Sequence, residues 1–260
     1  ALLLNRRRTL LTVHDCEVLN RLTGWKHWLV KVLWYKLPAM RVTAMTVNSN
    51  ETKRSLLEVI RFPEDRIRVV PVSVSPLYKP SPKASAAERP RILQIGTKAN
   101  KNIIRLAEAL SGIPCELHIV GPLEQQQEAK LHQHKIAVTN HMYLTDEQLL
   151  EQYKQADIVS FVSTHEGFGM PVVEAQSVER VCVTSNCSSM PEVAGAGACF
   201  VDPFDVQSIR AGFQKVISDG PYRQSLVAAG RQNKLRFDSH RIADDFLQIY
   251  KSICNGSMKS

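Results

Sequence analysis

The chain has 260 residues, 44% of them apolar, and a formal net charge of +8. That length suits one large domain or two modest ones, and the composition is ordinary for a globular protein with a packed core. Six cysteines with no CxxC spacing argue against a disulfide framework or a zinc site, and no apolar run reaches the roughly 18–20 residues of a membrane span.

The charge is uneven: residues 1–90 hold 16 Lys/Arg against 7 Asp/Glu, a surplus of +9, and the remainder carries −1. A basic first third is either solvated surface or a surface for acidic partners. The opening "ALLLNRRR" has its charges on the wrong side of the apolar run for a signal peptide. The first residue is Ala rather than Met, which reads as a fragment or a processed chain.

In chain order, Leu10–Val13 reads as a short strand ending in "HD", and Gly24–Met40 as a helix. Trp25, Trp28 and Trp34 are interleaved there with Lys26, Lys31 and Lys36. Steps of five rotate each lysine away from the last, so the reading is a packed helix with lysines outward. Membrane-surface contact is the alternative. "AMTVNSN" reads as a strand, Glu51–Arg61 as a helix, and "RIRVVPVSVSP" as a strand. "SPLYKPSPKASAAERP" is proline- and serine-rich and reads as a linker.

The alternation then restarts: "RILQIG", "CELHIVG", "HMYL", "DIVSFVS" and "VCVTSN" as strands, with helices between them. "DVQSIRAGFQKVIS" reads as a helix, as does the tail "SHRIADDFLQIYKSI", with Ser239 as its N-cap. Strand–helix alternation gives parallel sheets, an α/β fold, and a complete doubly wound unit in the second part.

Four loops carry candidate chemistry. "THEGFGMPVVEAQ" brackets a glycine turn with Glu166 and Glu174, and Pro171 starts a helix with Glu174 on its first turn. "IGTKANKNIIRL" puts Gly96 and Thr97 at a strand end with Lys98 and Lys101 beside a helix start, but lacks the Walker spacing. "SNCSSMPEV" places Asn186, Ser188 and Ser189 at another strand end, where they either line a crevice or cap the Pro191 helix. His14 closes the first strand, either structurally or as a cleft group for phosphate or proton transfer. In open α/β sheets, ligands bind at the carboxyl ends of strands, where these loops lie.

Together these residues resemble the glycosyltransferase family 4 group, the "glycosyl transferases group 1" domain of nucleotide-sugar-dependent enzymes. The family pattern E-G-F-G-x-P-x-x-E is here "EGFGMPVVE", S-N-x-S-S-x-P-E-V-A-G is "SNCSSMPEVAG", and V-D-P-x-D-x-x-x-I is "VDPFDVQSI". The likeness extends to "VHD…VNSNETKRSLLE…RIRVVPVSVSP" in the first third.

The resemblance implies an α/β fold of GT-B type, two facing Rossmann-like domains, with the first domain truncated at its N-terminus by about a hundred residues. The expected layout is a partial acceptor-side domain at 1–80, a linker at 81–90, and a nucleotide-sugar domain at 91–236. A C-terminal helix at 237–260 would return to the first domain. It implies a retaining hexosyl transfer from a UDP-, GDP- or ADP-sugar to a glycan or lipid-linked hydroxyl in polysaccharide biosynthesis. No metal, further cofactor or nucleic acid is expected, and the location is cytoplasmic, with peripheral contact at the inner face of a membrane.

By residue, Glu174 would hold the ribose hydroxyls and Glu166 would face the sugar. Phe168, Gly169 and Met170 would lie near the sugar and phosphate. Lys101 with Lys98 would neutralise the diphosphate beside Gly96 and Thr97. His14 would lie near the donor, making His14, Lys101 and Glu166 the catalytic set. The main chain of Met142, Tyr143 and Leu144 would meet the base.

The departures are Glu179 and Val181 where the family has Gly and Pro, Val162 for a Pro, Ser73 for a Gly, and Thr97 for the phosphate-loop Arg. With the shortened first domain, Glu179 supports a second reading, a non-catalytic nucleotide-sugar-binding remnant or partner subunit. A GT-B epimerase would need first-domain carboxylates that the sequence does not offer.

Overall fold

A computed structural model describes residues 5, 8–20, 22–83 and 88–255. The chain divides into two compact units: one runs to Ser73 and resumes at Phe237, the other is Val74–Arg236. Residues 84–87 of the expected linker and 256–260 of the tail lie outside the described residues.

In the first unit, β1 (Leu10–Val13) leads through α1 (Glu17–Asn20) to α2 (Gly24–Val30), a π-helical segment (Lys31–Lys36) and α3 (Leu37–Ala39). β2 (Ala44–Val47), α4 (Asn50–Val59) and β3 (Ile67–Val69) follow. The strands pair in parallel in the order β1-β2-β3, with Leu10 opposite Ala44 and Met45 opposite Ile67. All four residues of β2 are buried, as a central parallel strand demands. Ser49 starts α4 by accepting from the Thr52 N–H at 3.0 Å. The C-terminal helix, Ser239–Cys254, packs Ile242, Ile249 and Ile253 with Ala44 and Val70 of this unit. Its cap is Asp238 rather than Ser239, because the carboxylate accepts from both the His240 and Arg241 N–H groups.

The Trp-rich helix departs from expectation. Its tryptophans face outward, while Val30, Tyr35 and Ala39 pack into the core with Cys16 and Leu19. The Leu37 N–H bonds the carbonyl of Val32, five residues back, so the winding is looser than an α-helix and the inward stripe shifts to Tyr35.

The second unit contains β4 (Arg91–Ile95), a tight turn at Ala99–Lys101, α5 (Ile103–Leu110), β5 (Glu116–Val120), α6 (Gln125–Gln133) and β6 (Ala137–His141). It continues with α7 (Asp146–Gln155), β7 (Ile158–Phe161), α8 (Met170–Ser177), β8 (Val181–Ser185), α9 (Met190–Ala194) and β9 (Cys199–Val201). α10 (Val206–Ser218) and α11 (Gly220–Asn233) close the unit. The parallel sheet runs β6-β5-β4-β7-β8-β9, so the strand order reverses between β4 and β7. Ile92, Leu117, Ile158 and Val183 of the sheet pack with Leu106 and Phe213 of the helices in one buried core.

Two expectations are corrected here. "HMYL" is not a strand: β6 ends at His141, and Tyr143 takes a left-handed φ of +57°, which ends extended pairing. The described linker residues are not a free tether. Lys83 pairs with buried Asp157 at 2.6 Å and donates to the Gln155 carbonyl, and Arg180 donates to the Ser81 carbonyl at 2.6 Å. Those contacts strap the segment to the second unit.

Glu179, where the family has Gly, sits in the left-handed region at φ +61° and pairs with Arg231 at 2.7 Å. Glu179→Gly and Glu179→Ala both lose that pair, but only glycine relieves the backbone. The glycine variant is therefore expected to be the more stable of the two by about 1 kcal/mol in denaturant unfolding. Equal stabilities would refute the strain.

Candidate functional site

The site is built on the two loops that leave the sheet where its order reverses. After β4, Gly96 turns the chain at φ +81°, and its N–H bonds the Val120 carbonyl at 2.8 Å. Gln127 Nε2 donates to the Thr97 carbonyl at 2.7 Å. The Thr97 hydroxyl donates to the Pro122 carbonyl, so this side chain fastens the loop. Lys98 is exposed. Asn102, left-handed at φ +63°, donates to the carbonyls of Val162 and Pro203 at 3.1 and 2.7 Å and ties this loop to the end of β7.

Lys101 and Glu166 meet across the reversal point. Lys101 Nζ lies 2.6 Å from Glu166 Oε1 and 4.5 Å from the centre of the Phe161 ring. Asn100 Nδ2 donates to the same Oε1 at 3.0 Å and to the His165 carbonyl at 2.9 Å. The paired side chains keep 16% and 15% of their exposure, enough for a ligand to reach them. The hydrogen bonds that reach the Glu166 carboxylate, from Lys101 and Asn100, both go to Oε1.

Ser188 and Ser189 hold the loop from beneath. Ser188 Oγ accepts from the Glu166 N–H at 3.1 Å and donates to its carbonyl at 2.7 Å; Ser189 Oγ donates to the Phe168 carbonyl at 2.7 Å. These serines thus brace the Glu166–Phe168 backbone instead of capping the Pro191 helix with their side chains. Asn186 is exposed. Gly169 precedes α8 at φ +108°, and a Cβ there would stand 3.3 Å from the Phe161 ring. That crowding and φ require glycine. Met170 and Pro171 then open α8 directly after the Glu166–Gly169 loop; Pro171 carries no N–H and the Val172 N–H bonds the Gly169 carbonyl at 3.0 Å, so what the helix start offers an anion is chiefly the positive end of its dipole.

Glu174 lies on the second turn of α8, not the first, so it does not complement the helix N-terminus. Its Oε2 accepts from the Tyr153 hydroxyl at 2.5 Å, and Tyr78 is a second hydrogen-bonding partner. Burial raises the Glu174 carboxyl above the usual glutamate range, against the lowering effect of the tyrosine hydroxyls. Burial also lifts Tyr153 and Tyr78 far above ordinary phenols, so both remain donors. Tyr78 meets Tyr153 edge-on at 5.5 Å.

The structure thus brings together Gly96, Lys101, Glu166, Phe168 and Gly169, with Met170 and Glu174 on the adjoining helix. Met142, Tyr143 and Leu144 form the loop after β6, two strands away from β4 on the same edge of the sheet. His14 belongs to the first unit, where it is exposed after β1 and its carbonyl accepts from Thr52 Oγ1 at 3.3 Å. Asn100, Tyr153 and Tyr78 were not singled out from sequence; of these, only Asn100 stands inside a motif that could have flagged it.

A cavity of about 360 Å³ lies elsewhere, lined by Lys83, Asp157, Glu179, Arg180 and Arg231. Its charged groups already have partners, Lys83 with Asp157, Arg231 with Glu179, and Arg180 with the carbonyls of Ser81 and Val178. Asp157 and Arg180 precede β7 and β8, so the cavity is at the amino edge of the sheet, away from the ligand edge of such folds. Among the described residues no group of three or more His, Cys, Asp or Glu is placed to hold a metal ion.

Residues 80–233 match the family model of glycosyl transferases group 1. The chain belongs to this family. It is 28% identical over 226 residues to the O-antigen chain mannosyltransferase B of Escherichia coli, covering 78% of this chain and 59% of that protein. Against an α-(1→4)-mannosyltransferase of Mycolicibacterium hassiacum it is 24% identical over 248 residues, again covering 59% of the relative. The chain therefore spans about three-fifths of these two relatives. Sucrose-phosphate synthase from Thermosynechococcus elongatus superposes with a TM-score of 0.80 at 19% identity, covering 96% of this chain and 68% of that one. A structure of Anabaena HepE with UDP and glucose gives 0.76 at 18%, covering 94% and 71%. These likenesses establish the α/β fold of GT-B type for the family member described here.

Proposed function

We propose that the chain is a retaining glycosyltransferase that moves a hexosyl group from a nucleoside diphosphate sugar to a hydroxyl of a glycan or lipid-linked saccharide. The observation that carries this reading is the Lys101–Glu166 contact across the strand reversal, flanked by the N-terminus of α8. In the transfer, the bond from the sugar's anomeric carbon to phosphate breaks with its electron pair on the diphosphate. The acceptor oxygen bonds to that carbon, and its proton leaves with the phosphate. Negative charge grows on the leaving group, so a fixed cation and the positive end of the α8 dipole stabilise the transition state more than the ground state.

In this reading Lys101 supplies the cation and no metal is required. Glu166 orients the sugar hydroxyls through Oε2, and Glu174 holds the ribose. The base, UDP, GDP or ADP, is met by the main chain at Met142–Leu144. The reaction belongs to polysaccharide biosynthesis on the cytoplasmic side, with a peripheral membrane contact where the acceptor carries a lipid.

The test is a screen of UDP-, GDP- and ADP-linked hexoses for donor hydrolysis and transfer, using the full-length protein. One donor is expected to turn over well above the others. No turnover with any donor would leave a binding protein and overturn the enzyme.

A further inference from the structure

Trp25, Trp28, Leu29, Leu33, Trp34 and Met40 stand exposed on the helical stretch that follows α1, the tryptophans at 70%, 61% and 66%. A packed tryptophan buries roughly 150–250 Å², so three left in solvent on one element are unusual. Among the described residues the helix is anchored on its other side, by Val30, Tyr35 and Ala39 in the first unit's core. The stretch itself is also one-signed in sequence. Between Glu17 and Glu51 the sequence has no acidic residue and five basic ones, Arg21, Lys26, Lys31, Lys36 and Arg41. Lys26 and Lys36 are exposed beside the tryptophans, and Lys26 Nζ lies 6.0 Å from the Trp25 ring.

We propose that the outward face of this helix lies on an anionic lipid surface. The indoles and leucines enter the boundary between headgroups and acyl chains, and Lys26 and Lys36 reach the phosphates. Indole has an apolar body and one N–H donor, which suits that boundary, and lysine complements its charge. A second copy of the chain fits less well, because a two-fold interface would bring two stretches of the same charge sign together. Among the described residues no helix is long and apolar enough to cross a membrane, so the contact is one of lying on the surface. The proposal takes up the membrane-peripheral part of the function proposed above and is independent of glycosyl transfer. Vesicle binding and turnover are read separately, so either can fail alone.

The chain has three tryptophans, all on this helix, so its fluorescence reports the helix directly. With vesicles of phosphatidylcholine containing about a third phosphatidylglycerol, the emission is expected to shift blue and to be quenched by brominated acyl chains. Pure phosphatidylcholine should bind more weakly, and added salt should weaken the anionic binding. The double variant Trp25→Ser/Trp28→Ser, read by co-sedimentation, should lose about tenfold or more in vesicle affinity. Lys26→Gln/Lys36→Gln should lose about fivefold per lysine. These side chains are exposed, and circular dichroism should show both variants folded. Three results would each overturn the proposal: no shift or quenching on anionic vesicles, binding retained in both variants, or a lipid-free shift that grows with protein concentration, which would indicate a second copy. Retention by an acidic protein surface with no vesicle binding would overturn it equally.

Discussion

Replacing Lys101 with alanine is expected to lower turnover by about 10²–10³-fold, the usual cost of removing one group that stabilises developing charge. The side chain is held in place before any ligand arrives, by Glu166 at 2.6 Å and by the Phe161 ring at 4.5 Å. Gly96 makes room for it: a Cβ there would stand 3.0 Å from Lys101 Cε. A lysine fixed in this way loses little conformational entropy when the leaving group becomes charged. Folding should be affected far less than catalysis. The Lys101–Glu166 pair retains some solvent access, and Asn100 still donates to Glu166 after the substitution. The discriminating measurement is therefore kcat beside a thermal melt. A large fall in kcat with a small shift in the melt supports the leaving-group role. An unchanged kcat with a raised KM would make Lys101 a ground-state binding residue and refute it.

How much of this was legible in the sequence follows from where each contact originates. The two loops at Gly96–Asn102 and Thr164–Gly169 were legible because parallel strands put their loops on one edge, and the order of alternating elements predicts which edge. The serine pair was visible as polar residues at a strand end, but its partner was not: Ser188 and Ser189 reach back to Glu166 and Phe168 through tertiary packing. Tyr153 looked like an ordinary helix residue, and Tyr78 lay in a segment taken for a tether. Their meeting on Glu174 depends on α7, α8 and the strapped segment converging. α11 is not among the elements expected from the sequence. Gly220 and Pro221 interrupt the helical pattern there, but Asp219 caps the new helix by accepting from the Tyr222 N–H at 2.8 Å, and Pro221 fits its first turn. β9 is three residues long, too short for a period to register. Of the outward tryptophans, only Trp34 lies where the chain winds as a π-helix; Trp25 and Trp28 stand on the regular α2, where the apolar pattern alone does not say which face is covered.

Glu174→Gln is expected to weaken binding of the donor nucleotide by roughly a hundredfold in calorimetry, since hydrogen bonds to a charged group contribute about 1.5–3 kcal/mol each. The glutamine keeps the shape and can still accept from Tyr153, so the loss isolates the carboxylate charge. The pH dependence gives a second, independent check. Burial raises the Glu174 carboxyl above the ordinary glutamate range, so it takes up a proton at a higher pH than an exposed side chain would. Donor affinity should accordingly fall as the pH drops through that raised value, and the Gln variant should lose this dependence. Stability moves the other way. The native state binds this proton more tightly than the unfolded chain does, so Glu174's contribution to folding is fully present below the unfolded value and is lost as the pH rises through the raised one. Weaker donor binding on the acid side therefore cannot come from unfolding driven by this residue. An affinity profile that is flat in the wild type, or equally sloped in Glu174→Gln, would remove the ribose role from Glu174 and leave its tyrosine contacts as packing alone.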